Sequence, residues 1–112
     1  MLSQYEKANF MLEQAKEEFE GLGSKLGAAQ CLRSLGDIRK MLGQYGEGMI
    51  MLEQAKKQFE EIGDTLGTAQ CLKSLGNISK MLSQYEEAEV MLEKAKEQFE
   101  GLRSKLGAAL CL

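Results

Sequence analysis

The chain contains no histidine, no proline and no tryptophan. Without histidine the commonest general base and metal ligand is missing, and no serine or cysteine has another plausible base beside it. A glycine-rich phosphate loop of the Walker type is absent too, so neither catalysis nor a cofactor is expected. The lack of proline means that helices can end only at glycines and caps. Strand formers are scarce, with one valine, four isoleucines and two threonines, which excludes most β architectures in favour of helix. No run approaches the roughly 20 apolar residues of a membrane span, and the start shows no signal-peptide pattern. A soluble, cytoplasmic protein is expected. Aromatics make up 6% of residues and fall at core spacing, and the net charge is −3, which together argue against nucleic acid as a partner.

What the chain does have is a repeat. Residues 1–40 aligned on 41–80 give 24 identities, and 1–32 aligned on 81–112 give 25. The pattern is easiest to see from Leu32-Arg33-Ser34-Leu35-Gly36-Asp37-Ile38 through Gln44-Tyr45 to Ala55, which recurs as Leu72-Lys73-Ser74-Leu75-Gly76-Asn77-Ile78 through Gln84-Tyr85 to Ala95. Each copy reads as a helix, a tight turn at Leu42–Gln44 or its equivalent, and a second helix. A helical hairpin of this size cannot bury its apolar stripe alone, whereas stacked hairpins share a continuous core. The expected fold is therefore all-α, an α-solenoid of about two and a half stacked antiparallel hairpins, forming one array over 1–112 with copies at 1–40, 41–80 and a shortened 81–112.

Residues 1–3 match 41–43 and 81–83 and read as the tail of a first helix whose body is missing. The second helices follow with apolar positions stepping by three and four: Tyr5, Ala8, Leu12, Ala15, Phe19 and Leu22, then Tyr45, Gly48, Leu52, Ala55, Phe59 and Ile62, then Tyr85, Ala88, Leu92, Ala95, Phe99 and Leu102. Gly23 and Gly63 can take positive φ and stop their helices, while Ser24 and Asp64 cap the next ones. In the first helix of the central hairpin, Ala28 or Ala29, Cys31, Leu32, Leu35, Ile38 and Leu42 should be buried, and Gly36 suggests a close approach by a neighbouring helix. Gly46 and Gly48 weaken the following turn and read either as a hinge or as sequence drift. Lys16 and Glu20 are spaced to pair on the surface.

Cys31, Cys71 and Cys111 occupy one position three times, 40 residues apart. That spacing fits neither a disulfide framework nor zinc, so packing is their expected role. Charge is layered. The second-helix segments 5–22, 45–62 and 85–102 carry 15 acids and 6 bases, while 24–43, 64–83 and 103–112 carry 8 bases and 2 acids. This asymmetry reads either as solvated faces with attraction between layers or as a basic lining for an acidic ligand.

Leu35-Gly36, Tyr45 and Ala55, with Leu75-Gly76, Tyr85, Ala88 and Ala95, resemble the tetratricopeptide repeat. Leu32 and Leu72 stand where that family usually has Trp, Arg39 and Ser79 where it has Tyr, and its closing Pro is missing. The 40-residue period resembles the longer repeats of kinesin light chains and G-protein signalling modulators. The phrase Leu66-Gly67-Thr68-Ala69-Gln70-Cys71-Leu72-Lys73-Ser74-Leu75-Gly76-Asn77 is similar to arrays attached to fungal NACHT or NB-ARC signalling NTPases. The resemblance implies a non-catalytic scaffold whose first helices line a concave groove for a protein or peptide.

On those helices the residues turned from the apolar stripe are Gln30, Arg33, Ser34, Asp37 and Lys40, then Gln70, Lys73, Ser74, Asn77 and Lys80. They are the candidate ligand groove. Lys73 and Asn77 resemble the lysine and asparagine with which some tetratricopeptide domains clamp a peptide carboxylate, although Arg33 and Asp37 depart from that pair one repeat earlier. An alternative function is self-assembly. Neither end carries the polar capping helix that closes repeat arrays, as expected of a fragment or an engineered repeat. At the far end Arg103 replaces the glycine of Gly23 and Gly63. Two outcomes are open: a turn as before, or one helix continuing from Tyr85. Either leaves Leu106, Ala109, Leu110 and Leu112 as candidate self-association residues, through a two-fold exchange or head-to-tail stacking.

Overall fold

A computed structural model describes residues 3–110, with side chains as far as residue 105. Five helices follow one another: α1 (Gln4–Gly21), α2 (Lys25–Met41), α3 (Tyr45–Ile62), α4 (Thr65–Met81) and α5 (Tyr85–Leu110). Each packs antiparallel on the next, so α2/α3 and α4/α5 are two complete hairpins and α1 is the second half of another. The all-α solenoid of stacked hairpins is what the repeat implies.

The boundaries follow from the caps. Gly23, Gly43 and Gly63 take φ of +74°, +75° and +76°, the left-handed conformation that lets a helix end and the chain reverse. The side chain of Ser24 accepts a hydrogen bond from the Gly27 amide at 3.2 Å, and Asp64 accepts one from the Gly67 amide at 3.0 Å. Ser83 has to adopt the same left-handed turn, at φ +62°, without being glycine. Ser3, expected as part of the tail of a preceding helix, instead caps α1 by accepting from the Glu6 amide at 3.1 Å.

The core lies between the hairpins. Leu52, Leu75 and Ile78 form one cluster, and Ala29, Leu32, Ala55, Phe59 and Cys71 form another. Small residues bring the helices together, as Gly36 suggested: a Cβ there would lie 2.7 Å from Leu52 Cγ and 3.3 Å from the Gly48 carbonyl oxygen. Gly48 is the other side of that crossing. Its own Cβ would stand 3.1 Å from the Gly36 carbonyl oxygen, so it is a contact residue rather than drift or a hinge. Gly46, by contrast, faces open space.

The ends of the apolar stripes are not buried as the stepping suggests. Leu22, Leu42 and Ile62 remain exposed, Ile38 is half-buried, and α1 has no buried residue at all. Leu22, Leu42 and Ile62 all sit at the C-terminal ends of their helices, and among the described residues α1 is covered only by α2. The other departure is at the far end. α5 does not stop at Leu102 but continues through Arg103 to Leu110 as one helix of 26 residues. The continuous alternative is the one adopted. Leu106, Ala109 and Leu110 lie on α5 beyond the described side chains, and Cys111 and Leu112 lie outside the described residues.

Candidate functional site

Curvature defines the two faces of the array. α2 lies against α4, whereas among the described residues α1 and α3, and α3 and α5, make no close backbone approach. A stack whose first helices touch while its second helices splay is concave on the first-helix side. The charged and polar residues of α2 and α4 sit at i, i+3, i+7 and i+10, one helical face each: Gln30, Arg33, Asp37 and Lys40, then Gln70, Lys73, Asn77 and Lys80.

The two helices present this face differently. On α2, Arg33 reaches Asp37 at 3.7 Å and Lys40 reaches the same carboxylate at 3.9 Å, all three half-buried, while Gln30 is exposed. On α4 the carboxylate is replaced by Asn77. Lys73 and Lys80 are exposed there, and among the described residues no carboxylate lies within 4.0 Å of either ammonium. Gln70 and Asn77 are half-buried and Ser74 is buried, which removes its hydroxyl from the surface set. Lys73 lines a depression with Phe99 and Glu100 of α5, and Lys80 lines another with Tyr85 and Glu89. The sequence-predicted residues thus share a layer, but the two lysines face the edge of α4 toward α5.

The continuous α5 also changes the charge layering. Arg103 and Lys105 belong to the second-helix layer, so that layer holds 15 acids and 8 bases, and the α2/α4 layer with its caps keeps 6 bases and 2 acids. The asymmetry is −7 against +4 rather than −9 against +6. Exposed pairs such as Lys16–Glu20 at 3.3 Å and Lys56–Glu60 at 3.2 Å repeat on the acidic side and contribute little stability each.

One feature was beyond sequence reasoning. The splay of α3 from α5 opens a groove of about 700 Å³ on the outer face, floored by Leu72 and Leu75 of α4, with Val90 and Met91 on one wall and Lys56 and Lys57 on the other. Periodicity assigns these residues to faces, but the spacing between second helices depends on how hairpins stack, which no local pattern encodes.

Cys31 and Cys71 are buried free thiols, as the packing role requires, and Cys111 lies outside the described residues. Burial raises both thiol pKa values, that of Cys71 to about 12. A thiol held neutral inside the core is a poor nucleophile and a poor metal ligand. Among the described residues, no three His, Cys, Asp or Glu side chains converge as metal ligands. No described helix is long and apolar enough to cross a membrane.

Neither curated proteins nor solved structures yield a match to this chain. A family model for the tetratricopeptide repeat matches residues 35–101, from Leu35-Gly36 on α2 through three turns to Gly101 on α5. That span is more than half of the chain and contains the Gly36–Gly48 crossing, the Asp64 cap and the concave face of α4. The resemblance of the motifs, the stacked hairpins and the family match agree, and the chain belongs to the tetratricopeptide repeat family.

Proposed function

We propose that this chain is a non-catalytic scaffold that binds a protein or peptide, acidic in character, along the concave face of α2 and α4. Tetratricopeptide repeats generally mediate protein–protein interaction. The observation that carries the finer reading is the pair of exposed lysines on α4, Lys73 and Lys80, which among the described residues have no carboxylate within 4.0 Å, whereas Arg33 and Lys40 on α2 share Asp37. An unpaired ammonium keeps its charge available for a ligand carboxylate, and Asn77, one turn from Lys73, adds an amide donor. Gln30, Arg33, Lys40 and Gln70 extend the same face toward α2.

The test is panning of an acidic peptide library, followed by charge reversal. Lys73→Glu with Lys80→Glu should weaken binding of recovered peptides by about tenfold or more and flatten its salt dependence. If Glu53→Lys, Glu60→Lys, Glu93→Lys and Glu100→Lys weaken binding more, the concave assignment is wrong.

A further inference from the structure

The groove between α3 and α5 carries its charges in order. Both helices pack antiparallel on α4 and so run in the same direction. At the end nearer their N-termini the groove is lined by Glu53, Glu86 and Glu87, all exposed. At the other end stand Lys57 and Lys94, also exposed. Among the described residues no carboxylate lies within 4.0 Å of either ammonium. Lys56 and Glu60 lie at that end too, but they pair with each other at 3.2 Å and cancel. Between the ends the lining is apolar. Leu72 and Leu75 form the floor, Val90 is 55% exposed, and Met91 rests with its sulfur 4.0 Å from the buried Ser79 hydroxyl.

This order is not a by-product of the repeat. The counterpart face between α1 and α3 keeps Glu13, Lys16 and Glu20 where the groove has Glu53, Lys56 and Glu60, and Lys16 again pairs with Glu20. Yet Glu17 stands in place of Lys57, Gln54 in place of Lys94, and Gly46 in place of Glu86. Each of these three differences places a charge in the α3/α5 groove, and each falls at the end of its own sign. The counterpart face has no free base at its far end.

We propose that this groove receives an amphipathic helix of a partner protein, acidic in its first turn and basic in its last, running antiparallel to α3 and α5. The apolar middle takes the partner's apolar stripe, with Met91 as an adaptable wall. Cations in the last turn of that helix reach Glu53, Glu86 and Glu87, and carboxylates in its first turn reach Lys57 and Lys94. Charges in that order also stabilise the incoming helix through its own dipole, which fixes the direction. A second copy of this chain offers no such helix among α1 to α4: α1 and α3 have an acidic first turn and no base in the last, and α2 and α4 are the reverse. The site is distinct from the concave face in place and in partner, since a uniformly acidic peptide is repelled here by Glu53, Glu86 and Glu87.

Fluorescence anisotropy with two labelled helical peptides tests this. One has a leucine stripe with Glu in its first turn and Lys in its last; the other has the two charge groups exchanged. The chain should bind the first more tightly by about tenfold or more. Lys57→Glu with Lys94→Glu should remove that preference, and adding Glu86→Lys and Glu87→Lys should reverse it. Val90→Asp should weaken binding of both peptides. All five substituted side chains are exposed, so circular dichroism should show unchanged helicity. Equal affinity for the two peptides, or no binding of either at about 1 mM, overturns the inference. So does a preference that survives the fourfold reversal, or binding that Val90→Asp leaves unchanged. A preference removed instead by Lys73→Glu with Lys80→Glu places the peptide on the concave face and overturns it as well.

Discussion

Replacing Gly67 by alanine pushes a methyl group into the ring of Phe59. The added Cβ would lie 2.5 Å from Phe59 Cγ, far inside van der Waals contact, and Phe59 is 1% exposed, so its ring has nowhere to swing. Overpacking of this kind costs about 1–3 kcal/mol. Alanine regains up to about 1 kcal/mol of helix propensity over glycine, so a net loss of about 1–2 kcal/mol is expected. Gly27 provides the control. Its Cβ would also lie 2.5 Å from a ring carbon, Phe19 Cγ, but Phe19 is only half-buried and can turn into solvent. Gly27→Ala should therefore change stability by less than about 0.5 kcal/mol, since relief and propensity offset the clash. Urea titrations followed by far-ultraviolet circular dichroism resolve the difference provided the m-values agree. Equal losses at both positions, or a larger loss at Gly27, would refute the assignment of Phe59 as the rigid centre of the stack.

Three further outcomes follow from single residues. Gly46→Ala, on an exposed helical turn with open space at the Cβ, should stabilise by about 0.5–1 kcal/mol in the same titration. Ser83→Gly should stabilise by a similar amount, about 1 kcal/mol less the added freedom of the unfolded chain, because Ser83 is held at φ +62°. Cys71→Ser should destabilise by about 1–3 kcal/mol by placing a hydroxyl in an apolar contact, and the native Cys71 thiol should resist alkylation until the protein unfolds. Cys71 also sets a pH dependence. Its thiol ionises near 9.0 in the unfolded chain but only at about 12 when folded, so between these values the unfolded state binds fewer protons. The contribution is fully present below pH 9 and is lost as pH rises toward 12, by at most about 1.4 kcal/mol per pH unit. The stability difference between parent and Cys71→Ala should shrink over that window, and a difference independent of pH would contradict the burial of the thiol.

The fold was legible because its punctuation is chemical. Gly23 and Gly63 must reverse the chain, Ser24 and Asp64 must cap, and Gly36 marks a crossing whatever the distant context. Cys71 was placed correctly by its apolar neighbours on a helix. Local pattern failed where neighbours decide. Leu42 and Ile62 continue an apolar stripe but sit at the C-terminal ends of α2 and α3 and stay exposed, and α1 lacks a second neighbour among the described residues. Gly48 looked like weakness and is a contact, because its partner, the Gly36 carbonyl, lies on another helix. At Arg103 the sequence held both outcomes open: Ser104 could still cap a new helix, and the penalty for a left-handed arginine is small enough that only the assembled chain decides. The groove between α3 and α5 depends on the splay of whole hairpins and left no local signal.

That outer groove is the rival to the concave face, and amide chemical-shift mapping separates them. An isotope-labelled chain titrated with an acidic peptide recovered by panning should show its shifts concentrated at Gln30–Lys40 on α2 and Gln70–Lys80 on α4, with Lys73, Asn77 and Lys80 moving most. Shifts concentrated instead at Lys56, Lys57, Val90 and Met91, the walls of the 700 Å³ groove, would contradict the account.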